Sequence, residues 1–591
     1  MGTRETTRRG DTRRSMRGLM GRWVQCSAST LRRTAWAWAL AGCANTASGT
    51  TGTGMDAGTS ARVDSARADV VDVAMVPDAP ITVPRLIRPY SNMIATHRRP
   101  ELRWELPAGI TDVTVRICRD RACTAVEHTL RVQGTRVRPS EDLAPGVHFW
   151  NVEASVDGGV ARSHTWAFRT LHGQREVDTT WEGGADFNGD GCSDLIVAIR
   201  TRETVDVQVV YGGRDRSLRL GERLRGEPLV LIGEFFNNPS WGDMDGDGFT
   251  DLVLTQPGSR PGTSIGRVVY YGANTGLDAN GQRMPLRTDL GNGVFPPIIE
   301  STGFSGDLND DGIFDMVTID SVRPSPTVQR PQAVSARGRV IVVRDMTPLE
   351  LDTDTMMSQP AEATDLDGDG LNDLVYGLPT ATSSTSRGIV FFGPASPTLA
   401  SVAEFDLADV LTPDAPSAVV ADARCDLNGD GRGEILFRPY PVALTPLALI
   451  GVDSNRSLVR AATIEGPAGS TVARCVPDRD GDGRGELVGW IPTQGGRFAL
   501  AIAALDSAPG AIRARLESLR LDGDDLRCDR LSAFGDADGD GLADLMCLSI
   551  NGPPGMKTVS IVYGSTSTEA IEVRRVTVPS DQTLGLEFAA F

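Results

Sequence analysis

Asp243-Met244-Asp245-Gly246-Asp247-Gly248-Phe249-Thr250-Asp251 is the stretch that decides the fold of this chain. It places oxygen-bearing side chains at positions 1, 3, 5 and 9 and a glycine at position 6, and the pattern occurs seven times. Positions 1, 3, 5 and 9 are Asp186, Asn188, Asp190 and Asp194 in loop 1, and Asp243, Asp245, Asp247 and Asp251 in loop 2. They are Asp307, Asn309, Asp311 and Asp315 in loop 3, and Asp365, Asp367, Asp369 and Asp373 in loop 4. Loop 5 has Asp426, Asn428, Asp430 and Glu434; loop 6 has Asp478, Asp480, Asp482 and Glu486; loop 7 has Asp536, Asp538, Asp540 and Asp544. Successive first positions lie 57, 64, 58, 61, 52 and 58 residues apart. One such string could be a solvated acidic turn. Seven at a nearly constant period are a repeat architecture, in which each unit packs against its neighbours.

The chemistry that needs this string is cation binding. A hard ion of the size of Ca²⁺ takes about six to eight oxygens at about 2.3–2.6 Å. Positions 1, 3 and 5 supply side-chain oxygens on a curled backbone, glycine at position 6 permits the turn, and the acid at position 9 closes the shell. A main-chain carbonyl at position 7 would leave that side chain unconstrained, as Cys192, Phe249, Ile313 and Arg432 suggest. Of the 28 positions, 25 are carboxylates and three are Asn. Carboxylates crowded in this way repel one another unless a cation is present. The expected cofactor is Ca²⁺, up to seven ions; Mg²⁺ prefers a smaller octahedral shell and keeps its waters. The first half of the string is like an EF-hand loop, but no Glu follows at position 12, and an apolar strand comes next instead of a helix.

Those strands set the fold class. Leu195–Ile199, Leu252–Leu254, Met316–Ile319, Leu374–Tyr376, Ile435–Phe437, Leu487–Val488 and Leu545–Leu548 follow the seven loops, and a second apolar strand comes later in each repeat. Roughly four short strands per repeat reads as an all-β chain whose main part is a seven-bladed β-propeller, an architecture that removes exposed sheet edges by closing into a ring. The C-terminal strands are expected to pair with first-blade material and join the two ends.

Residues 173–591 resemble the FG-GAP or VCBS repeat family, the blades of integrin alpha-chain heads and of many exported bacterial proteins. The acidic strings carry the likeness, together with Gly266-Arg267-Val268-Val269-Tyr270-Tyr271-Gly272, Gly388-Ile389-Val390-Phe391-Phe392-Gly393 and Ser560-Ile561-Val562-Tyr563-Gly564. The resemblance implies calcium clamping the turn between the first two strands of each blade. It departs from the integrin head in having more acidic loops and no room for an inserted adhesion domain. Such a scaffold hosts adhesion, carbohydrate contact and some enzymes, so it fixes fold more than function.

Ahead of the repeats, residues 85–172 alternate with period two in Leu102–Leu106, Val113–Cys118, His148–Ala154 and Ser163–Phe168, bounded by turn residues such as Pro145-Gly146. This predicts a small β-sandwich of about seven strands. Trp104 and the Pro-Gly turn before His148-Phe149-Trp150 resemble a fibronectin type III module, whose expected role is spacer or contact surface. Residues 43–84 are rich in Ala, Ser, Thr, Gly and Asp and read as a disordered tether. Residues 1–42 carry nine arginines and two acids, and Thr34–Gly42 supplies a short apolar run before Cys43. That is an export signal. Leu40-Ala41-Gly42-Cys43 resembles the bacterial lipoprotein signal, implying lipidation of Cys43, a membrane anchor and, with Ala44 next, the outer membrane; the alternative is ordinary cleavage near Ala41.

Seven cysteines remain once Cys26 and Cys43 are set aside, so at least one is free or pairs outside the chain. Cys118 with Cys123 is a hairpin-tip candidate; Cys425 with Cys475 and Cys528 with Cys547 are further ones.

Composition bounds the rest. The chain of 591 residues has 59 basic and 77 acidic side chains, a net of -18; without residues 1–42 the counts are 50 and 75, a net of -25. This argues against nucleic acid as partner, since binding there needs a basic surface. A hydrophobic content of 40% excludes a wholly disordered chain. All five histidines precede loop 1, Lys557 is the only lysine, and no nucleophile elbow or phosphate loop occurs. No catalytic residues are assigned. The expected function is a surface binding or adhesion module for a glycan or protein, with Phe235–Asn238, Trp241 and Phe295–Ile299 as candidate contacts. The alternatives are a structural part of the cell envelope and, lower, a polysaccharide-degrading enzyme.

Overall fold

The computed structural model describes residues 82–156, 159–175, 178, 184–200, 205–224, 240–256, 266–283, 299–306, 315–321, 328–335, 342–345, 349–350, 361–378, 387–393, 401–406, 418–439, 447–452, 456, 458–465, 471–493, 497–503, 512–515, 517–518, 520–521, 524–525, 530–549, 556–566, 572–579 and 586–587. The chain divides at Val70/Val71, and all described residues belong to the second unit. Residues 1–42, read from sequence as an export signal, Cys43 and all but 82–84 of the expected tether lie outside them. Among the described residues the secondary structure is all β, and no helix is long and apolar enough to cross a membrane.

Seven sheets of four or five short strands follow one another along residues 195–587, antiparallel except where Ile512–Arg515 joins Leu458–Glu465 in parallel. Arg520–Leu521 with Asp524–Asp525 forms a separate two-stranded ribbon. In sheet 2 the strands are Ser240–Gly242, Asp251–Gln256, Gly266–Tyr270 and Gln282–Arg283, paired in that order. Sheet 4 repeats the order with Ala361–Thr364, Asp373–Leu378, Arg387–Phe392 and Ser401–Asp406, and sheet 7 with Arg530–Gly535, Asp544–Ser549, Met556–Val562 and Val573–Pro579. Sheets 3, 5 and 6 begin in the same order with first strands Ile299–Gly306, Ala418–Cys425 and Thr471–Val476, and sheets 3 and 5 each gain a fifth strand, Leu349–Glu350 and Ile512–Arg515. In all six the acidic string joins the first strand to the second.

Sheet 1 differs in an informative way. Its order is Leu586–Glu587, Leu195–Arg200, Val205–Tyr211, Arg219–Leu224. The first-strand place is filled from the C-terminus, with Ile199 opposite Leu586 and Ala198 opposite Glu587. The expected pairing of the two ends of the array is thus present.

The sheets pack through apolar side chains that alternate along each strand. Phe187, Val209 and Tyr211 of the first repeat share a core with Leu252, Val268 and Tyr270 of the second. Val476, Val488 and Leu500 meet Leu545, Cys547 and Val562 between sheets 6 and 7. Each fully buried Val or Leu of this kind contributes about 1.5–3 kcal/mol relative to exposure. Trp241, a candidate ligand contact from sequence, is half-buried against the core shared by the first two repeats and acts as packing. Phe235–Asn238 and Phe295–Ile298 lie outside the described residues.

Residues 85–170 form two further sheets over one core. Arg85–Arg88, Leu102–Glu105 and Arg136–Val137 make the smaller; Met93–Ala95, Trp166–Thr170, Gly146–Val156, Asp112–Cys118 and Val126–Gln133 make the larger, with Gly159–Arg162 beside it. That is nine strands where about seven were expected. The period-two alternation is visible in Asp112–Cys118, whose Val113, Val115 and Ile117 turn inward. Trp104, Trp150, Trp166 and Phe168 fill the centre of the core. Cys118 and Cys123 are joined by a disulfide with Cα atoms 5.1 Å apart. Cys475 and Cys547 are each in a disulfide. Cys192 is free and buried, which accounts for an odd cysteine.

Candidate metal centres

Six of the seven strings adopt the same loop; the third, at 307–314, lies outside the described residues. In loop 2 the Asp243 carboxylate accepts main-chain N–H groups from Gly246 at 2.7 Å and Asp247 at 3.0 Å on one oxygen, and from Gly248 at 3.0 Å on the other. The N–H of position 6 donates to the position 1 carboxylate in every described copy: Gly191 to Asp186, Gly370 to Asp365, Gly431 to Asp426, Gly483 to Asp478 and Gly541 to Asp536. Position 7 donates its N–H to the position 5 carboxylate, as Phe249 does to Asp247 at 3.0 Å. This winding requires left-handed backbone at two places. Gly248 has φ 91° at position 6, and Gly246 has φ 79° at position 4. The sequence reading gave the turn to position 6 alone; position 4 shares it.

Position 9 fastens the loop to the sheet. Asp251 accepts the Met244 N–H at 2.7 Å with one oxygen and the Gly272 N–H at 2.9 Å with the other. Asp194, Asp373 and Asp544 bridge in the same way to Gly212, Gly393 and Gly564. These are the glycines of the aromatic-Gly motif. A Cβ on Gly272 would stand 2.3 Å from the Thr250 carbonyl, and one on Gly212 would stand 2.4 Å from that of Ser193. The motif therefore records how closely the third strand's end approaches the loop. Loops 5 and 6 close with Glu434 and Glu486 and have no such glycine after their third strands, which end at Val452 and Ala503.

Five loops gather carboxylates into a cation-sized space. One oxygen from each of Asp478, Asp480, Asp482 and Glu486 lies within 4.8 Å of the others. The same holds for Asp243, Asp245 and Asp251, for Asp365, Asp367 and Asp373, for Asp426, Asp430 and Glu434, and for Asp536, Asp538 and Asp540. Oxygens about 2.3–2.6 Å from a shared ion are at most about 5 Å apart, so the spacing fits. Loop 1 is not among these groups, and its Asp190 is exposed. Several clusters of buried Asp and Glu are thus able to chelate a divalent cation.

Without a cation these groups resist ionisation. Burial first, then the neighbouring carboxylates, push Asp194, Asp251, Asp365, Asp373, Glu434, Glu486 and Asp544 well above the usual range. Burial raises Asp426 to about 7 and Asp478 to about 6. A divalent cation reverses the effect, because opposite charge favours the ionised form.

The loops are tied to one another. The N–H of position 8 donates to the position 1 carbonyl of the preceding loop: Thr250 to Asp186 at 3.1 Å, Gly433 to Asp365 at 3.2 Å, Gly485 to Asp426 at 3.1 Å and Ala543 to Asp478 at 3.0 Å. Ser193 donates in the same sense to Asp536 at 2.6 Å, so loop 1 follows loop 7. The position 7 side chain, left without a role by the sequence, lies beside the position 4 glycine of the preceding loop: Phe249 beside Gly189, Arg432 beside Gly368, Arg484 beside Gly429, Leu542 beside Gly481 and Cys192 beside Gly539.

Residues 85–175 rest on these loops. The Trp166 indole donates to the Gly368 carbonyl at 3.2 Å, and the Asn92 amide donates to Asn372 at 2.8 Å. His172 stacks on Phe249 with ring centroids 4.2 Å apart. Arg169 and Asp243, both with fully buried side chains, form an ion pair at 3.6 Å, and Arg175 pairs with Asp536 at 3.4 Å. Position 6 glycines are needed here a second time: a Cβ on Gly370 would stand 2.5 Å from the Thr165 carbonyl, and one on Gly431 would stand 2.9 Å from Trp166. The N-terminal β-module is thus packed against the acidic loops of the same chain.

The FG-GAP repeat family matches residues 235–271, which span loop 2 and the strand after it. No curated protein matches the chain. Solved structures with some likeness include the WD40 domain of SCAP from fission yeast, at 8% identity and TM-score 0.34, covering 68% of this chain and 91% of that one. A Synechocystis apocarotenoid oxygenase mutant has 9% identity and TM-score 0.25, covering 85% of this chain and 94% of that one. An ACO/RPE65 chimera has 9% identity and TM-score 0.26, covering 86% and 95%. Likenesses of this size carry no argument here. The chain thus holds one FG-GAP match in an all-β, propeller-like architecture with acidic clusters suited to a divalent cation.

Proposed function

We propose that this chain is a calcium-stabilised, closed seven-bladed β-propeller of the FG-GAP/VCBS kind. In this reading it is exported, anchored at the outer membrane through lipidated Cys43, and binds a glycan or protein as a surface adhesion module. The observation that carries the calcium and closure parts is the repeated loop itself. Six copies present carboxylates on one backbone geometry, and the bond from Ser193 to Asp536 has the same form as the bonds between loops adjacent in sequence. Asp186, Asp243, Asp365, Asp426, Asp478 and Asp536 would hold the ion with the acids that follow them in each loop. The ion would supply the positive charge that lets these buried groups ionise and so fix the turn between the first two strands.

The loop carboxylates are read as scaffold, and the binding role is placed on the surfaces they hold in shape. Those at positions 1 and 9 accept two or three main-chain N–H groups each in loop 2, an arrangement suited to holding shape. Residues 85–175 rest on the acidic loops, so ligand contact is sought elsewhere; Phe235–Asn238, sequence candidates outside the described residues, are the first to vary. A purely structural role in the envelope is the second reading, favoured by the same rigidity.

The test is metal analysis and thermal unfolding of the full-length chain with calcium and with excess chelator, followed by a glycan screen. Bound calcium and a large fall of the midpoint on chelation support the first half; calcium-dependent capture of a defined glycan supports the second. Absence of bound metal and an unchanged midpoint would overturn the calcium reading. A clean calcium result with an empty screen would favour the structural role.

A further inference from the structure

Arg216 and Arg456 occupy the same place in two sheets. Each lies in the connection between the third and fourth strands, of sheet 1 and sheet 5 respectively. Each has left-handed backbone, with φ 61° and 62°. A non-glycine residue there is uncommon and calls for a compensating contact. Both find it in the preceding loop. Arg456 donates to Asp367 at 2.6 Å and Asp369 at 3.1 Å, positions 3 and 5 of loop 4. Arg216 donates to Asp538 at 2.7 Å and lies 3.8 Å from Asp540, the same two positions of loop 7. Both guanidinium groups also lie over the aromatic ring of that repeat's motif, Phe392 at 4.9 Å and Tyr563 at 4.5 Å. In sheet 2 the equivalent residue is Gly276, φ 109°, and loop 1 receives no arginine from it. Loop 6 is the opposite extreme. It gathers four carboxylates. Arg479 acts on Glu486 and Asp480 from within the loop, and the Arg88 guanidinium lies beside Gly483, but among the described residues no guanidinium forms an ion pair with Asp480 and Asp482, its positions 3 and 5.

We propose that the acidic loops belong to two classes: loops 4 and 7 carry a resident guanidinium from the following sheet and keep their shape without a divalent cation, whereas loop 6 keeps its shape only with one. The inference rests on the calcium reading above and goes beyond it, because seven similar strings are then not seven equivalent sites. The guanidinium does part of the cation's work. It neutralises the outer carboxylates at positions 3 and 5 and leaves the buried pair at positions 1 and 9 to the main chain. A loop so held has less to gain from a cation, which must also approach a fixed positive charge.

The test is hydrogen exchange of the full-length chain, calcium-loaded and with excess chelator, followed in peptides covering 365–373, 478–486 and 536–544. The expected result in the wild type is about a tenfold or larger rise in exchange for 478–486 on chelation and little change in the other two. In R456M the 365–373 segment should join the responsive class, while 536–544 stays as before; R456K, which keeps a charge at that place, should respond less than R456M. An equal response of all three segments in the wild type, a comparison that needs no variant, would overturn the proposal and leave the calcium reading standing. A chelation response in none of them would overturn both.

Discussion

Ser193 and Asp536, 343 residues apart, hold each other twice: the Ser193 N–H donates to the Asp536 carbonyl at 2.6 Å, and the Asp536 N–H donates to the Ser193 hydroxyl at 2.9 Å. Thr250 and Asp186 make the same pair of bonds at 3.1 Å each between loops 1 and 2. The seam between the last repeat and the first is therefore built like a junction between repeats adjacent in sequence. Ser193→Ala removes the hydroxyl and leaves a buried N–H without that acceptor, at a cost of about 1–3 kcal/mol. Urea unfolding should show the loss, and exchange should quicken in Leu586–Glu587, the strand that completes sheet 1. Quickened exchange spread evenly over all sheets would argue against a local seam.

Two glycines in one repeat separate backbone strain from close approach. Gly246 has φ 79° and open space where a Cβ would go, so Gly246→Ala should cost about 1–2 kcal/mol from the left-handed conformation alone. Gly272 has no such φ, but its Cβ would stand 2.3 Å from the Thr250 carbonyl. Gly272→Ala should cost about 3 kcal/mol or more, because the third strand must move off the loop. Thermal midpoints should fall in that order; the reverse order would mean that the aromatic-Gly motif has another purpose.

Arg169→Met tests the docking of the N-terminal β-module. It leaves Asp243 buried without its guanidinium partner, a loss of about 3–5 kcal/mol when one half of a buried pair is removed. The cost should be smaller in calcium than in chelator, since a cation bound in loop 2 can take over the neutralisation of Asp243. Limited proteolysis should then release fragments from residues 85–175 first in chelator. Equal destabilisation in both conditions would separate the arginine from the cation site.

In metal-free protein the acidic loops should lose stability as pH rises. The folded-state values of Asp426, about 7, and Asp478, about 6, lie above the ordinary carboxylate value, so these groups favour the protonated folded state. That contribution is complete below about pH 4, the unfolded-state range, and is lost as pH rises through about 6 to 7. Calcium should remove the loss, because the ionised carboxylates are then ligands. Midpoints measured from pH 4 to 8 with and without calcium should diverge with rising pH; parallel curves would show that the acidic loops do not take the ion.

Much of this molecule is local and therefore legible. Each acidic loop is made by bonds within nine residues, so the order Asp243, Asp245, Gly248, Asp251 already implies the winding that the structure shows. The alternation of Val113, Val115 and Ile117 forecast a half-buried strand for the same reason. Position 4 was missed although Gly246 stands there, because only the dihedral shows that it shares the left-handed turn. The double role of Asp251 was missed because its second partner, Gly272, lies beyond the next two strands.

Sequence by itself determined the all-β class of fold, the repeat length, the acidic strings of which five gather carboxylates in a cation-sized space, and the presence of an unpaired cysteine. These depend on periodicity and on short-range chemistry, which a single chain records in order. Only the tertiary structure decided that Ser193 completes the loop of Asp536, that Arg169 is buried against Asp243, and that Arg216 and Arg456 serve loops 7 and 4. Those relations join residues separated by 74 to 343 positions. No spacing rule links them, because the partners are chosen by how the packed sheets bring their ends together.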